Sequence, residues 1–240
     1  MPLIEVCFSP ALYGYRTTQS GFTTVVVDVL RATTAFCAAF DAGAEFIIPV
    51  DSLERLKELQ SLGCLTSAER DGMKVDIADF GNSPARFLQA NLKGKSLAYS
   101  TTNGTHAIEL AKPYGNIITS SFANLFAVTA WLLNQGKDIV ILCSGWKNTF
   151  SLEDSVCAGA LVEKLIGSGK YSFDSDSVYT SIRLWELAKD NLQEFCCHGS
   201  HYKRLEKLGV SDDLEHCFRL NTSTVVPVWD GEKLVRSKEM

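Results

Sequence analysis

Several things are missing from this chain of 240 residues, and each absence removes a class of protein. There is no CxxC pair, so a cysteine-held zinc site has little support. No apolar run approaches the roughly 20 residues that cross a bilayer. The opening MPLIEVCFSP has neither a basic start nor a long apolar stretch, so it does not read as a secretory signal. Basic residues are in deficit: 23 Lys and Arg against 28 Asp and Glu leave a net charge of −5. That balance excludes a general binder of nucleic acid or of anionic membrane. An anionic ligand must then be attracted by local arginines and helix N-termini. Low-complexity tracts and fixed-period repeats are also absent, and disorder is expected only in the last few residues.

What is present is a hydrophobic fraction of 46% with mean hydropathy +0.04, ample for one large core or two small ones. Eight cysteines sit mostly inside apolar runs. Buried free thiols in a reduced, cytoplasmic protein fit them better than disulfides do. Apolar β-branched runs alternate with amphipathic stretches. Strands are expected at 3–8, 23–29, 45–50, 64–68, 95–100, 116–120, 138–143 and 224–229. Helices are expected at 32–42, 52–62, 83–91, 104–112, 122–135, 152–167, 176–190, 200–208 and 212–218. TTVVVDV and DIVILC are apolar on both faces, as in strands covered by helices on both sides. The reading is an α/β fold, layered α/β/α with a mainly parallel or mixed sheet. It is taken as a single unit, with two lobes at about 1–120 and 121–240 as one division. Asp51 with Glu54, and Ser151 with Asp154, have the spacing of helix caps.

Ligands of such sheets bind beyond the carboxyl ends of strands, so the strand ends hold the candidates. VVVDVLRATT offers Asp28, an oxygen ligand suited to Mg²⁺, and Arg31, a fork for phosphate or carboxylate. Thr33 and Thr34 follow as caps of a helix whose start favours an anion. The long stretch 66–84 holds Glu69 and Arg70, then Asn82, and Ser83 before Pro84 as cap and first helical residue. STTNGTHAI supplies Thr102, Asn103 and Gly104 as an anion cradle, with His106 read as structural. CSGWKNTFSLED ends a strand at Cys143, turns at Ser144 and Gly145, and opens a helix with Glu153 and Asp154. The spacing of Cys64 and Arg70 imitates a cysteine phosphatase, but CLTSAER has no glycine-rich loop to activate the thiol. The residues alone point to an α/β enzyme that binds a small, strongly anionic ligand with a divalent metal.

Taken in order, VVVDVLRATT, ERDG, FGNSP, TTNGT, ILCSG with FSLEDSVCAG, and LGVSDDLEHC with VVPV resemble the 2-phosphosulfolactate phosphatase (ComB) family. The resemblance implies a site in a cleft between two lobes. It implies a Mg²⁺-dependent phosphatase that converts 2-phospho-3-sulfolactate to 3-sulfolactate and phosphate, on a route to coenzyme M. Asp28, Arg31, Glu69, Arg70, Asn82, Ser83, Asn103 and Asp154 fall on the matching motifs. Mg²⁺ is expected among Asp28, Glu69 and Asp154, with Arg31 and Arg70 offsetting phosphoryl charge. Asp28 is the first choice for a nucleophile and Cys143 the second, with Lys147 or Arg204 as the cation for the sulfonate. Trp146, following the glycine of CSGW, departs from the small polar residues expected there, and TSA before Glu69 lacks the glycines expected at that place. Two alternatives stand beside this reading: another small 2-phospho acid as substrate, or a non-catalytic sensor of an anionic metabolite. The 122–135 helix is a candidate homodimer surface.

Overall fold

The computed structural model describes residues 1–238, so part of the chain end for which disorder was expected lies outside the described residues. One ten-stranded sheet runs through the molecule in the order β1-β8-β2-β7-β9-β10-β3-β6-β4-β5. Four parallel strands make one half: β1 (Ile4–Cys7), β8 (Ile139–Cys143), β2 (Thr23–Val27) and β7 (Ile117–Ser120). Three more make the other: β3 (Phe46–Pro49), β6 (Ser96–Ser100) and β4 (Leu65–Arg70), with β5 (Met73–Lys74) as an antiparallel edge. The antiparallel hairpin β9 (Pro227–Trp229) and β10 (Leu234–Arg236) joins the two halves. The first half draws its strands from both sides of residue 120, whereas the second comes wholly from residues 46–100.

Between β2 and β3 lies α1 (Ala32–Asp41), and between β3 and β4 lies α2 (Leu53–Ser61). α3 (Pro84–Gln89) precedes β6, and α4 (Gly104–Ala111) follows it. α5 (Leu125–Gln135) leads into β8, and α6 (Leu152–Gly167) leaves it. A helical run then crosses one face: α7 (Asp176–Ala188), α8 (Leu192–Cys196), α9 (Ser200–Lys207) and α10 (Ser211–Cys217).

The burial of β2 shows why the sheet is layered. Val25 and Val27 pack with α5, α6 and α7, while Val26 packs with Phe36 and Phe40 of α1 on the opposite face. All five residues of β2 are buried, and each fully buried valine stabilises the fold by roughly 1.5–3 kcal/mol. All eight cysteines are free; six are buried, and Cys64 and Cys197 are half-buried. Among the described residues no helix is long and apolar enough to cross a membrane. The solvent face of α5 carries Phe126 as its one exposed large apolar residue.

Several boundaries differ from the sequence reading for physical reasons. The 66–84 stretch is not all loop: the strand continues to Arg70 and turns back through β5. The cap of α2 is Ser52, whose hydroxyl accepts from the Arg55 N–H, not Asp51. Thr33 and Thr34 do not cap α1; its N-cap is Arg31, without a side-chain bond. The helix expected from 122 begins as a 3-10 turn at Phe122–Asn124. α8 and β10 are too short to leave a periodic signal.

The three antiparallel pairings across the hairpin make the two halves run in opposite senses. In a flat sheet their carboxyl ends would sit at opposite edges. Twist of about 20–25° per strand accumulates to roughly 120–150° over the six steps from β2 to β4, which brings those ends together.

Candidate active site

Asp28 follows β2 directly and is 6% exposed. Its Oδ1 accepts from the Ala32 N–H at 3.1 Å, so the carboxylate sits at the start of α1. Thr33 lashes the turn by bonding both the N–H and the carbonyl of Asp28, and Thr34 bonds the Val29 carbonyl. These two hydroxyls therefore shape the loop rather than face a ligand. Burial pushes the Asp28 carboxyl up to about 6; Glu69 and Glu153 push the same way, and His201 and the Ala32 N–H oppose them.

Gly104 is required by this arrangement. A Cβ there would stand 2.5 Å from the Ala32 Cβ and 2.8 Å from Asp28 Oδ2. The glycine of TTNGT thus lets the end of β6 close on the end of β2, joining the two halves of the sheet.

Glu69, near the end of β4, is 5% exposed. Its two oxygens accept from the Gly72 N–H at 2.7 Å and the Thr102 N–H at 2.9 Å. Arg31 forms a buried ion pair with Asp213 of α10 at 2.6 Å and donates to the Gly72 carbonyl at 2.9 Å. The other Asp213 oxygen accepts from the Ser83 hydroxyl, which also caps α3. Asn82 accepts from the Tyr99 hydroxyl, and Asn103 accepts from the Lys147 N–H.

Asp28, Arg31, Glu69, Asn82 and Asn103 thus line one small hollow, together with Leu30, Gly72, Trp146, His201 and Leu205. Its volume is about 10 Å³, at the limit of what holds one water. Helix α9 and the 144–149 turn form its roof. Leu205 and Leu208 press against Gly72, and the Trp146 ring lies 5.2 Å from the His201 ring. In this closed arrangement the hollow has no room for a phosphoryl group.

Other expected site residues lie elsewhere. Arg70 donates to the Glu69 carbonyl and to Ser100, and lines a neighbouring cavity of about 380 Å³ with Thr102 and His106. Ser144 lines a further cavity of about 310 Å³ with Thr102, Asn103 and Lys147. Cys143 is fully buried, and burial, with Asp154 and two cysteines adding to it, pushes its thiol well above the usual value. That removes the reactive thiolate a nucleophile needs. Gly145, at φ +62°, has the left-handed backbone the turn demands.

Asp154 is a brace. Its oxygens accept from the Val29 N–H at 2.8 Å and the Gly145 N–H at 3.1 Å, tying the ends of β2 and β8 together. Burial, then Glu153 and Asp28, push its carboxyl well above the usual range, against those two donors. Among the described residues no three His, Cys, Asp or Glu side chains form a ready metal cage. Asp28 and Glu69 still suit Mg²⁺ in kind, because that ion takes one or two carboxylates and fills its shell with water and phosphate oxygens. The Asp28 carboxylate, held buried with one oxygen given to Ala32, is the better placed of the two.

Three residues carry parts that the sequence did not assign to them: His201, Glu153, named only as opening a helix, and Asp213. His201 of α9 is 8% exposed, and its Nδ1 lies 3.2 Å from Glu153 Oε1. Burial raises the Glu153 carboxyl, but the nearby His201, its own backbone N–H and the Ser151 hydroxyl together hold it below the usual value. Asp213 is the third. The available signal was His201 with Leu205, four residues apart on the buried stripe of α9.

Acids and an arginine gathered at strand ends beside helix starts define an α/β enzyme of the phosphoryl-transfer type. The comparisons narrow the class. The family profile described as 2-phosphosulpholactate phosphatase matches residues 7–232. A Prochlorococcus marinus protein named probable 2-phosphosulfolactate phosphatase is 40% identical over 213 residues, covering 85% of this chain and 88% of its own. Proteins of the same name from Carboxydothermus hydrogenoformans and Thermotoga maritima are 38% and 37% identical. They cover 90% and 85% of this chain, and 91% and 88% of their own. The chain belongs to the 2-phosphosulfolactate phosphatase family, whose members are phosphoric monoester hydrolases.

Proposed function

We propose that this chain hydrolyses 2-phospho-3-sulfolactate to 3-sulfolactate and phosphate, in the manner of a step toward coenzyme M. The observation that carries the reading is the convergence of Asp28, Glu69, Arg31 and Asn103, from both halves of the sheet, on one hollow. Arg31 spends two of its donors on Asp213 and Gly72, and its remaining N–H groups are free to meet phosphoryl oxygens. Asp28 and Glu69 would hold Mg²⁺, which when bound supplies Lewis-acid polarisation of a phosphoryl oxygen. Closure of α9 and Trp146 keeps bulk solvent out while leaving the attacking water, and strengthens each charge within.

The substrate carries two further anionic groups, and a second cation lies in the roof. The Arg204 guanidinium stacks 3.3 Å from the centre of the Trp146 ring, and its Nε and Nη2 are buried without a hydrogen-bond partner. Burial lowers its pKa, while Glu153, Asp71 and Glu69 oppose that shift. Arg204 is the group assigned to the sulfonate or carboxylate. Lys147 is engaged instead with Asp71 at 3.1 Å, in an exposed pair.

A phosphate-release screen over small phosphorylated acids, with and without Mg²⁺, tests the reading. The expected result is Mg²⁺-dependent release, fastest from 2-phospho-3-sulfolactate. Binding of such acids without release under any metal condition would remove the catalytic reading.

A further inference from the structure

We propose that His201, oriented by Glu153, is the proton donor to the leaving oxygen in this site. The proposal rests on the phosphatase reading above and adds a residue to it. Three observations support it. First, His201 lines the same hollow as Asp28 and Glu69, although it comes from α9, far along the chain. Second, its Nδ1 lies 3.2 Å from Oε1 of Glu153, a carboxylate 1% exposed that has no other partner at that oxygen among the described residues. A carboxylate on one ring nitrogen fixes the ring's orientation and leaves Nε2 as the nitrogen available to a reacting group. Third, the Trp146 ring packs against the imidazole, so the side chain has one position in the closed form.

The chemistry of the ester calls for such a group. The leaving group is a secondary alkoxide, strongly basic, and expelling it unprotonated is costly. As the P–O bond breaks, its electron pair goes to the bridging oxygen, and the Nε2 proton moves to that oxygen to give the alcohol. Water supplies the oxygen that bonds to phosphorus. The proton released from that water goes to solvent, and His201 regains one from solvent. Glu153 stabilises the imidazolium before transfer and is a positioning residue, since it does not face the hollow.

The test is the dependence on leaving group. His201→Gln and Glu153→Gln are compared with wild type on 2-phospho-3-sulfolactate and on 4-nitrophenyl phosphate, whose phenolate departs without protonation. Thermal unfolding checks that both variants fold. H201Q is expected to lose roughly 10²–10⁴-fold in kcat on the alkyl ester and less than about tenfold on the aryl ester. E153Q shows the same selectivity with a smaller loss. The ¹⁸O isotope effect at the bridging oxygen of the alkyl ester rises in H201Q, because that oxygen then departs as an anion. This second measurement serves if the aryl ester is not turned over. Equal losses on both esters, or an unchanged isotope effect, overturn the proposal and leave the phosphatase reading standing. No phosphate release by the wild type from either ester overturns both.

Discussion

Arg31 and Asp213, 182 residues apart in the chain, meet at 2.6 Å with side chains only 4% and 5% exposed. One follows β2 and the other opens α10. A charge this buried tolerates its environment only while its partner is present. Asp213→Ala leaves Arg31 uncompensated, and the expected cost is about 3–5 kcal/mol. Urea unfolding of the variant against wild type measures it. The double change R31M/D213L should recover most of that loss while abolishing phosphate release. A single-variant cost below about 1 kcal/mol would show that the pair does not hold α10 in place.

Gly104 is the point where the two halves of the sheet touch. Gly104→Ala places a methyl against Ala32 and the Asp28 carboxylate, so that one of them must shift. Over-packing of this kind costs roughly 1–3 kcal/mol. Activity is expected to fall more than stability does, since either shift disturbs the turn that holds the Asp28 carboxylate. Steady-state kinetics beside thermal unfolding separate the two effects.

The raised Asp28 carboxyl gives a stability trend with pH. Its folded value of about 6 lies above the usual 3.8. The folded state therefore binds more protons between those values, and stability falls as pH rises through that window. Two units correspond to about 3 kcal/mol. Glu153 shifts the other way, so its contribution changes only at lower pH, and Asp154 adds to the Asp28 trend. In metal-free buffer, wild type should lose stability relative to Asp28→Asn between pH 4 and pH 6.5. Mg²⁺ added at pH 7.5 should then stabilise wild type more than the Asn variant. Parallel curves at all pH values would mean that the carboxyl titrates normally.

The parts of the site legible in the sequence are those that end strands. Asp28, Glu69 and Asn103 stand where an apolar run gives way to a turn, and that junction is local. His201, Glu153 and Asp213 were harder because each lies in or beside a helix, where an acid or a histidine satisfies ordinary rules of capping and amphipathicity. Their meaning comes from which helix covers the hollow, and only the tertiary packing shows that. Asp154 illustrates the reverse case. It looked like a metal ligand on the same footing as Asp28, yet its oxygens are committed to Val29 and Gly145. The sheet itself was legible as alternating α and β. Its joining of two opposed halves was not, because β10 has only three residues.

That short hairpin sets an order of events during biosynthesis. Every other strand emerges from the ribosome before β9 and β10, so the two parallel halves can each condense early but cannot be spliced into one sheet. Asp28 and Glu69 belong to different halves, so the hollow they line is completed only after translation has passed the final strand. A nascent chain stalled before residue 227 should therefore hold compact but inactive pieces.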